Sequence, residues 1–282
     1  MAKTTAKPAS RAVATKPTAS RAVATKPKNE LSSNVNVDLL EEQDAGKGVS
    51  TDVADNVVPL LKVLQSLTPQ CLKQKQEYIK GAEAGMIWPR GEKQLWDGDE
   101  GIRIVPVHYE RIWLEWGAKR GDGLKGRHRK GTDDTPRDLG AELQTDSEGN
   151  EKWTLQNGNT LQDCREHVVL VLDKYDEPTP FVLPMVGSNI GTSRNWHPVL
   201  NKKRTRKGNK AASFLYVYKL STVPKSNDSG DWYQMAIDDL DERVAPEVYV
   251  LARQVHADFS GGVLVADVEE PHVAADADDS DL

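Results

Sequence analysis

The sequence predicts a mainly β fold of the α+β class, with helices flanking a sheet. Residues 101–116 (GIRIVPVHYERIWLEW) are rich in β-branched residues, and residues 166–175 (EHVVLVLDKY) form a continuous apolar run. Such a run is typical of a central strand that is buried on both faces. Residues 213–220 (SFLYVYKL) alternate, which places Phe214, Tyr216 and Tyr218 on one face of a further strand.

Helical spacing of apolar residues appears near both ends of this strand-rich region. Residues 57–67 repeat apolar side chains at intervals of three and four, with Asp52 or Asp55 as possible caps and Pro69 as a stop. Pro246 opens a second predicted helix, over 246–258. A third, short helix is predicted over 188–200, with Ser188 as its cap.

The segment 101–116 changes character at Pro106, which cannot donate to a strand ladder and therefore predicts a bulge, an edge position or a break. Beyond it the side chains alternate with period 2. Ile112 and Leu114 fall on one face, and the opposite face carries Tyr109, Arg111, Trp113 and Glu115. That second face is either a wetted sheet surface or a platform on which bases stack.

Short elements fill the intervening sequence. Strands are predicted at 86–88 and 94–96, and residues 181–186 are expected to pair back on the apolar run. Asn157-Gly158 predicts a hairpin turn between 153–156 and 159–161. Residues 132–150 are polar and acidic and are interpreted as a loop or insertion.

The chain of 282 residues divides into three parts by composition. Residues 1–51 are interpreted as a disordered basic and polar tail that contains the decapeptide repeat ASRAVATKPT/ASRAVATKPK. Residues 52–262 form the predicted core, and residues 263–282 an acidic tail that ends in DDSDL. The net charge of −6 therefore conceals opposite charges at the two ends, and each tail either binds a partner or only confers solubility.

Two basic segments are the strongest functional signal. The first, residues 117–131, directly follows the aromatic face, and the second, residues 201–210, follows Trp196. Single-strand binders need both cations for phosphates and aromatic rings for unstacked bases, so the pattern predicts DNA binding, although each run alone is typical of a solvated loop. The predicted DNA-binding residues are Tyr109, Arg111, Trp113, Trp116, Lys119, Arg120, Lys125, Arg127, Arg129, Lys130, Trp196, Lys202, Lys203, Arg204, Arg206, Lys207 and Lys210.

Other classes of function find little support in the sequence. No apolar run reaches the length of a membrane span, and the basic N-terminus lacks the apolar stretch of a secretory signal. Cys71 and Cys164 do not make a disulfide framework, which favours a reducing, intracellular setting. Cys164 and His167 lack a second pair at zinc-ligand spacing, so neither a metal, a cofactor nor catalysis is expected.

The sequence resembles a group of tailed-bacteriophage proteins that look like single-stranded DNA-binding accessories of replication or recombination. The matching stretches lie between residues 55 and 240 and are PLLKVLQ (59–65), Gly85-Met86, RIVPVHYER (103–111), Glu115-Trp116, the glycine-rich 121–128, 220–222 and Trp232-Tyr233. The resemblance implies an OB-like β-barrel core and a phage origin. The acidic tail is similar to those of single-stranded DNA-binding proteins, which usually end in Phe where this chain has Leu282.

The resulting hypothesis is a protein that binds single-stranded DNA without strong sequence preference in the cytoplasm of the bacterial host, with no membrane association. Its acidic tail is expected to compete with DNA or to recruit proteins of replication or recombination, and an oligomer stays open. A virion or assembly protein is the alternative, followed by a nuclease or strand-annealing enzyme, for which Glu166, Asp173 and Lys174 would be the acidic and basic groups.

Overall fold

The computed structural model describes residues 57–119, 121–145, 149, 151–172, 178–228 and 230–267. The decapeptide repeat, the predicted tail 1–51 and the acidic residues beyond Asp267 lie outside these ranges, as do Arg120 and the run 173–175.

A long antiparallel hairpin forms the centre of the fold. Strand β4 (Ile102–Trp116) pairs with β8 (Thr160–Leu172) along almost its whole length. The register shifts between Pro106 and His108, so the predicted irregularity is a bulge and the strand continues through it. The apolar run of the sequence lies in β8, where residues 168–172 are all buried, as predicted for a central strand.

Six further strands extend this hairpin on both sides into one eight-stranded sheet, in the order β11-β10-β4-β8-β7-β6. The strands β10 (Tyr216–Asn227) and β11 (Gly230–Arg243) form a second hairpin beside the first half of β4. The second half of β4 pairs instead with β5 (Leu124–His128), and β8 divides its outer edge between β9 (Pro178–Val186) and β7 (Glu151–Thr154), which pairs with β6 (Glu142–Thr145).

The mainly β, α+β class is therefore confirmed, whereas a closed barrel is not found within the described residues. The sheet keeps separate outer strands, β11 at one end and β6 at the other. It is open because β4 and β8 each exchange one neighbour for another halfway along, which forks the sheet and leaves no strand to join its two ends.

Two longer helices pack on the sheet. The predicted helix near residue 188 is α2 (Asn189–Lys202), which contains Pro198 and has no side-chain cap from Ser188. The predicted C-terminal helix is α3 (Pro246–Gly261), which buries Val248, Ala252, Val255 and Phe259. A single turn, α1 (Thr135–Asp138), and β6 lie within residues 132–150, which sequence reasoning took for a loop.

The helix predicted over 57–67 is wrong for the described part of that segment. The chain instead forms β1 (Val57–Val58), which pairs in parallel with β12 (Val265–Ala266), and β2 (Leu61–Val63), which pairs with β3 (Ile87–Pro89). The apolar spacing misled because successive residues enter different clusters: Leu60 packs with one core group, Leu61 with a second and Leu64 with a third.

Segments near two further predictions differ in detail. Residues 94–96 form only an isolated bridge, between Trp96 and Ile87. Phe214 lies in a 3-10 turn (Ser213–Leu215) before β10 and packs against the α3 side, while Tyr216 and Tyr218 enter the other main core cluster. The three rings therefore do not share a face, because the strand begins only at Tyr216.

Candidate nucleic-acid interface

The predicted alternation in β4 is confirmed beyond the bulge. Ile112 and Leu114 pack with Cys164 on one side of the sheet. Arg111 and Trp113 lie on the other, where Arg111 bonds to Asp163 of β8 and Trp113 packs against Leu161. We call the side that carries Tyr109, Arg111 and Trp113 the polar face.

Trp113 is a core residue, so its predicted role as a stacking platform is wrong. Its side chain is only 5% exposed and packs with Ala141 and Leu161. The indole Nε1 donates to the carbonyl of Thr132 at 2.8 Å, and Gly131 lies so close that an added Cβ would be 2.7 Å from the ring. The segment after β5 therefore covers the ring that the sequence suggested was open.

Arg111 is held by carboxylates. Its Nε and Nη2 donate to the two oxygens of Asp163 at 3.0 and 2.8 Å, and Nη1 lies 2.7 Å from Asp133. Two-pronged pairing of this kind satisfies the guanidinium geometry fully. Arg111 therefore has its charge neutralised within the fold, which leaves it poorly placed to capture a phosphate.

Tyr109 is the most accessible aromatic of the polar face, with 36% of its surface exposed. Its hydroxyl accepts a hydrogen bond from Arg165 at 3.1 Å, and its ring lies 4.9 Å from His167 and 4.3 Å from His197. It is consequently a partly covered ring on top of a polar cluster, with one edge available to a ligand.

Beneath Tyr109 lies a buried group of side chains that sequence reasoning missed. His167 Nε2 is 2.8 Å from the hydroxyl of Ser193, and its ring stacks at 4.9 Å from Trp196. Burial, followed by the charges of His197 and Arg165, lowers the pKa of His167 to about 3. The single signal in the sequence was a histidine beside the most apolar strand, and its partners lie on α2, 26 residues later.

An open groove borders the far end of β4. It has a volume of about 590 Å³ and is lined by Trp113, Trp116 and Trp153 together with Lys152 and Gln162. Trp116 and Trp153 are half-buried; Trp116 donates from its indole nitrogen to Gln162 at 3.0 Å, and the guanidinium of Arg137 lies 5.3 Å from the ring of Trp153. We call this cavity the tryptophan groove.

The first basic segment, residues 117–131, leads from the edge of this groove. It is not a single loop, because Leu124–His128 is strand β5. Its turn leans on the β7–β8 turn, since a Cβ added to Gly158 would lie 3.2 Å from that of Ala118. Trp116 pairs with both Leu124 of β5 and Thr160 of β8, so the two turns and the tryptophan groove occupy one end of the sheet.

The cations of the first segment fall into two sets. Arg127 pairs with Glu166, and Arg129 with Glu110 at 2.9 Å. The side chains of Lys119, Lys125 and Lys130 are exposed and form no ion pair with any residue that the structure describes. Arg120 lies outside the described residues. The three lysines are thus the cations of this segment that are available to phosphates.

The second basic segment, residues 201–210, turns back on itself through a bridge between Arg204 and Lys210. Lys203 is held 2.8 Å from Asp239 and 2.7 Å from Asp241, and its ammonium lies 4.3 Å from the ring of Tyr216. Arg204 donates to the carbonyls of Asn201 and Lys203. The exposed cations without an ion pair in the described part of the chain are Lys202, Arg206, Lys207 and Lys210.

Trp196, predicted as a further stacking residue, is 3% exposed and lies on the inner side of α2. It contacts Tyr218 edge-on, with the ring centres 5.5 Å apart. A stacking role on the surface is therefore wrong for Trp196, as it is for Trp113. Both tryptophans are large and apolar enough to be drawn into the core, which the local sequence does not reveal.

The described residues contain no cluster of three or more histidine, cysteine or acidic side chains able to hold a metal ion. Cys164 and His167 lie on opposite sides of β8, with Cys164 packed against Ile112 and His167 against Trp196. Burial, chiefly, raises the pKa of the Cys164 thiol. No helix in the described ranges is long and apolar enough to cross a bilayer.

The described core is thus a mainly β protein of the α+β class, with an open sheet and a tryptophan-lined groove at one end. A comparison with protein families assigns it further, since residues 29–264 match the family described as Pam3 phage gp34-like protein. That match covers more than half of the chain, so the chain belongs to this family and is a phage protein, as the sequence resemblance implied. Neither the curated proteins nor the solved structures searched gave a match.

Proposed function

We propose that this phage protein binds single-stranded DNA, without strong sequence preference, through the tryptophan groove and the unpaired lysines beside it. The protein would protect or organise the strand during replication or recombination in the cytoplasm of the bacterial host. The observation that carries the proposal is that Trp116 and Trp153 line a groove of about 590 Å³ next to the first basic segment. The stacking residues therefore differ from those predicted by the sequence.

The aromatic part of the proposal rests on partly exposed rings. Every base has a flat π-face, so stacking on indole binds a strand regardless of its sequence, with roughly 1–3 kcal/mol per base. Trp153 is suited to this role because it lies near the sheet edge formed by β7 and β6 and already accepts the guanidinium of Arg137 over its ring. A base would add a second flat partner to the same ring.

The electrostatic part rests on cations that the fold leaves unpaired. Lys119 and Lys125 are exposed beside the tryptophan groove, while Arg111, Arg127 and Arg129 are tied to carboxylates. Capture of phosphates by a few free lysines releases counterions, so affinity should fall as salt rises. The exposed cations of the second basic segment are candidates for a longer strand.

The experiment is a fluorescence-anisotropy titration of labelled single-stranded DNA, duplex DNA and RNA over a salt series. Single-stranded DNA should bind most tightly, with affinity that decreases steeply with salt. The double variant Lys119→Ala/Lys125→Ala should weaken binding and lower the salt slope by about 2, because each lost phosphate contact removes about one counterion.

The matched control is Lys80→Ala, which removes an exposed lysine outside both basic segments. It should leave both the affinity and the salt slope unchanged. Equal losses in Lys80→Ala and in the double variant would mean that only overall charge matters. A flat salt response in the wild-type protein, or tighter binding to duplex DNA, would refute the proposed function.

A further inference from the structure

A second cavity lies between α2 and the β10–β11 hairpin, away from the basic segments' unpaired cations. It has a volume of about 410 Å³, within the range of ordinary small-ligand sites. Apolar side chains make up much of its wall, namely Val199, Val223, Met235, Ala236 and Ile237. Its frame is fixed by bonds between the two elements: Thr192 donates to the carbonyl of Met235 at 2.9 Å, and the Met235 amide donates to Asn189 at 2.9 Å.

Two buried donors line this cavity without a partner. The indole nitrogen of Trp196 and the hydroxyl of Tyr218 form no hydrogen bond with any described residue. Tyr218 is fully buried, at 0% exposure, and the two rings meet edge-on. A buried polar group without a partner costs free energy, and native proteins therefore pair nearly all such groups with protein, water or ligand. Two orphaned donors at one cavity point to an occupant with acceptor atoms.

The remaining polar groups narrow the chemistry of that occupant. Burial, with the charge of Asp239 next, raises the pKa of Tyr218, so its hydroxyl stays neutral and able to donate. Asp239 is itself held by Lys203 at 2.8 Å. Asn195 and Lys225 are exposed at the cavity lining, which offers an amide and a cation to the outer part of a ligand. The site thus combines apolar walls, two inner donors and an outer positive charge.

We propose that this cavity binds one nucleobase, with Trp196 Nε1 and Tyr218 Oη donating to acceptor atoms on the base edge and Lys225 facing its phosphate. A flat ring fits between aliphatic walls, and pyrimidine carbonyls supply the acceptors that the orphaned donors lack. The base belongs either to the bound strand or to a free nucleotide. The first source rests on the proposed function, whereas the second does not.

The test is a titration of ¹⁵N-labelled protein with thymidine monophosphate and, separately, with a short oligothymidylate, observed at the indole N–H of Trp196. Trp196→Phe identifies that resonance by its loss. The resonance should shift with saturable binding of the mononucleotide. A shift with both probes places a base of the strand in the cavity, and a shift with the mononucleotide alone assigns the cavity to free nucleotides; both outcomes support base binding.

The decisive variant is Tyr218→Phe, which removes one oxygen and keeps the ring. It should weaken the mononucleotide about five- to tenfold, the effect of one lost hydrogen bond. Tyr249→Phe removes a hydroxyl on α3, outside the cavity lining, and should leave affinity unchanged. If neither probe moves the Trp196 resonance, or if Tyr218→Phe only raises the melting temperature without changing affinity, the cavity holds water and the proposal fails.

The two proposals fail separately. Loss of DNA binding in Lys119→Ala/Lys125→Ala, together with an unmoved Trp196 resonance, would leave the proposed function intact and overturn the nucleobase cavity. A shifted Trp196 resonance with thymidine monophosphate, in a protein with no salt-dependent affinity for single-stranded DNA, would do the reverse.

Discussion

Nη2 of Arg111 lies 2.8 Å from Oδ2 of Asp163, across the β4–β8 pairing. Asp163 also accepts from Arg165 at 3.1 Å, so one carboxylate joins two arginines that stand opposite each other in the ladder. Positive charge on the polar face is therefore part of the structure of the sheet. A basic residue can be abundant in a binding segment and still be committed to the fold.

Arg111→Ala should destabilise the protein and leave DNA affinity nearly unchanged. The variant removes hydrogen bonds to two carboxylates, and bonds to charged groups contribute about 1.5–3 kcal/mol each in net terms, with Asp163 keeping Arg165 as a partner. Urea denaturation should therefore give a loss of about 1–3 kcal/mol. Lys125→Ala, which removes an exposed and unpaired cation, should give the opposite result: stability within about 0.5 kcal/mol of wild type and weaker DNA binding.

Trp113→Ala should unfold or strongly destabilise the protein. The side chain is buried against Ala141 and Leu161, and truncation of a buried tryptophan costs about 3–5 kcal/mol. Trp153→Leu keeps an apolar group at a half-buried site and should leave the melting temperature nearly unchanged, while it weakens single-stranded DNA by about tenfold through the lost stacking. A folded Trp113→Ala protein with weakened DNA binding would restore Trp113 as a platform.

The strands of the central sheet could be predicted because their signals are local. Alternation beyond Pro106 and the apolar run 168–172 each follow from how neighbouring side chains alternate across a strand. The cover of Trp113 could not be predicted, because Thr132 and Gly131 reach it from a segment that the sequence presents as an unstructured loop. The pairing of Arg111 with Asp163 likewise depends on a register between strands about fifty residues apart.

The N-terminal segment shows the same limit in secondary structure. Residues 57–67 have helical spacing, yet Val57 and Val58 pair with Val265 and Ala266 at the other end of the described chain. Tertiary pairing decides the conformation of so short a segment, and no local pattern reports the distant partner. The helix α3 was predictable because Pro246 marks its start and its buried face repeats over four turns.

Gly98→Ala should be strongly destabilising, because a Cβ there would overlap the carbonyl of Gly85 and the hydroxyl of Thr222. These two groups are themselves bonded, at 2.7 Å, and the Thr222 amide donates to Gly98 at 2.9 Å, so none of them can move freely. We expect a loss of at least about 2 kcal/mol in thermal or urea unfolding. Gly191→Ala is the matched variant: it lies in α2 with nothing within 4 Å of an added Cβ. Its higher helix propensity should stabilise the protein by about 0.5–1 kcal/mol, and a destabilised Gly191→Ala would contradict the described environment.

Stability should fall as the pH drops below about 6.5, and His167 should account for much of the fall. Its pKa is lowered to about 3 in the folded protein, so below the pKa of an unfolded histidine the unfolded chain binds a proton that the native state refuses. Between pH 7 and pH 5 this removes roughly 2 kcal/mol from the free energy of unfolding. Burial also lowers the pKa values of His197 and His108, which adds to the same trend. Urea denaturation at pH 7 and 5 should give His167→Gln a clearly smaller difference than wild type. Gly191→Ala, which changes no titratable group, should keep the wild-type difference, and an unchanged pH dependence in His167→Gln would show that this histidine is protonated in the folded state.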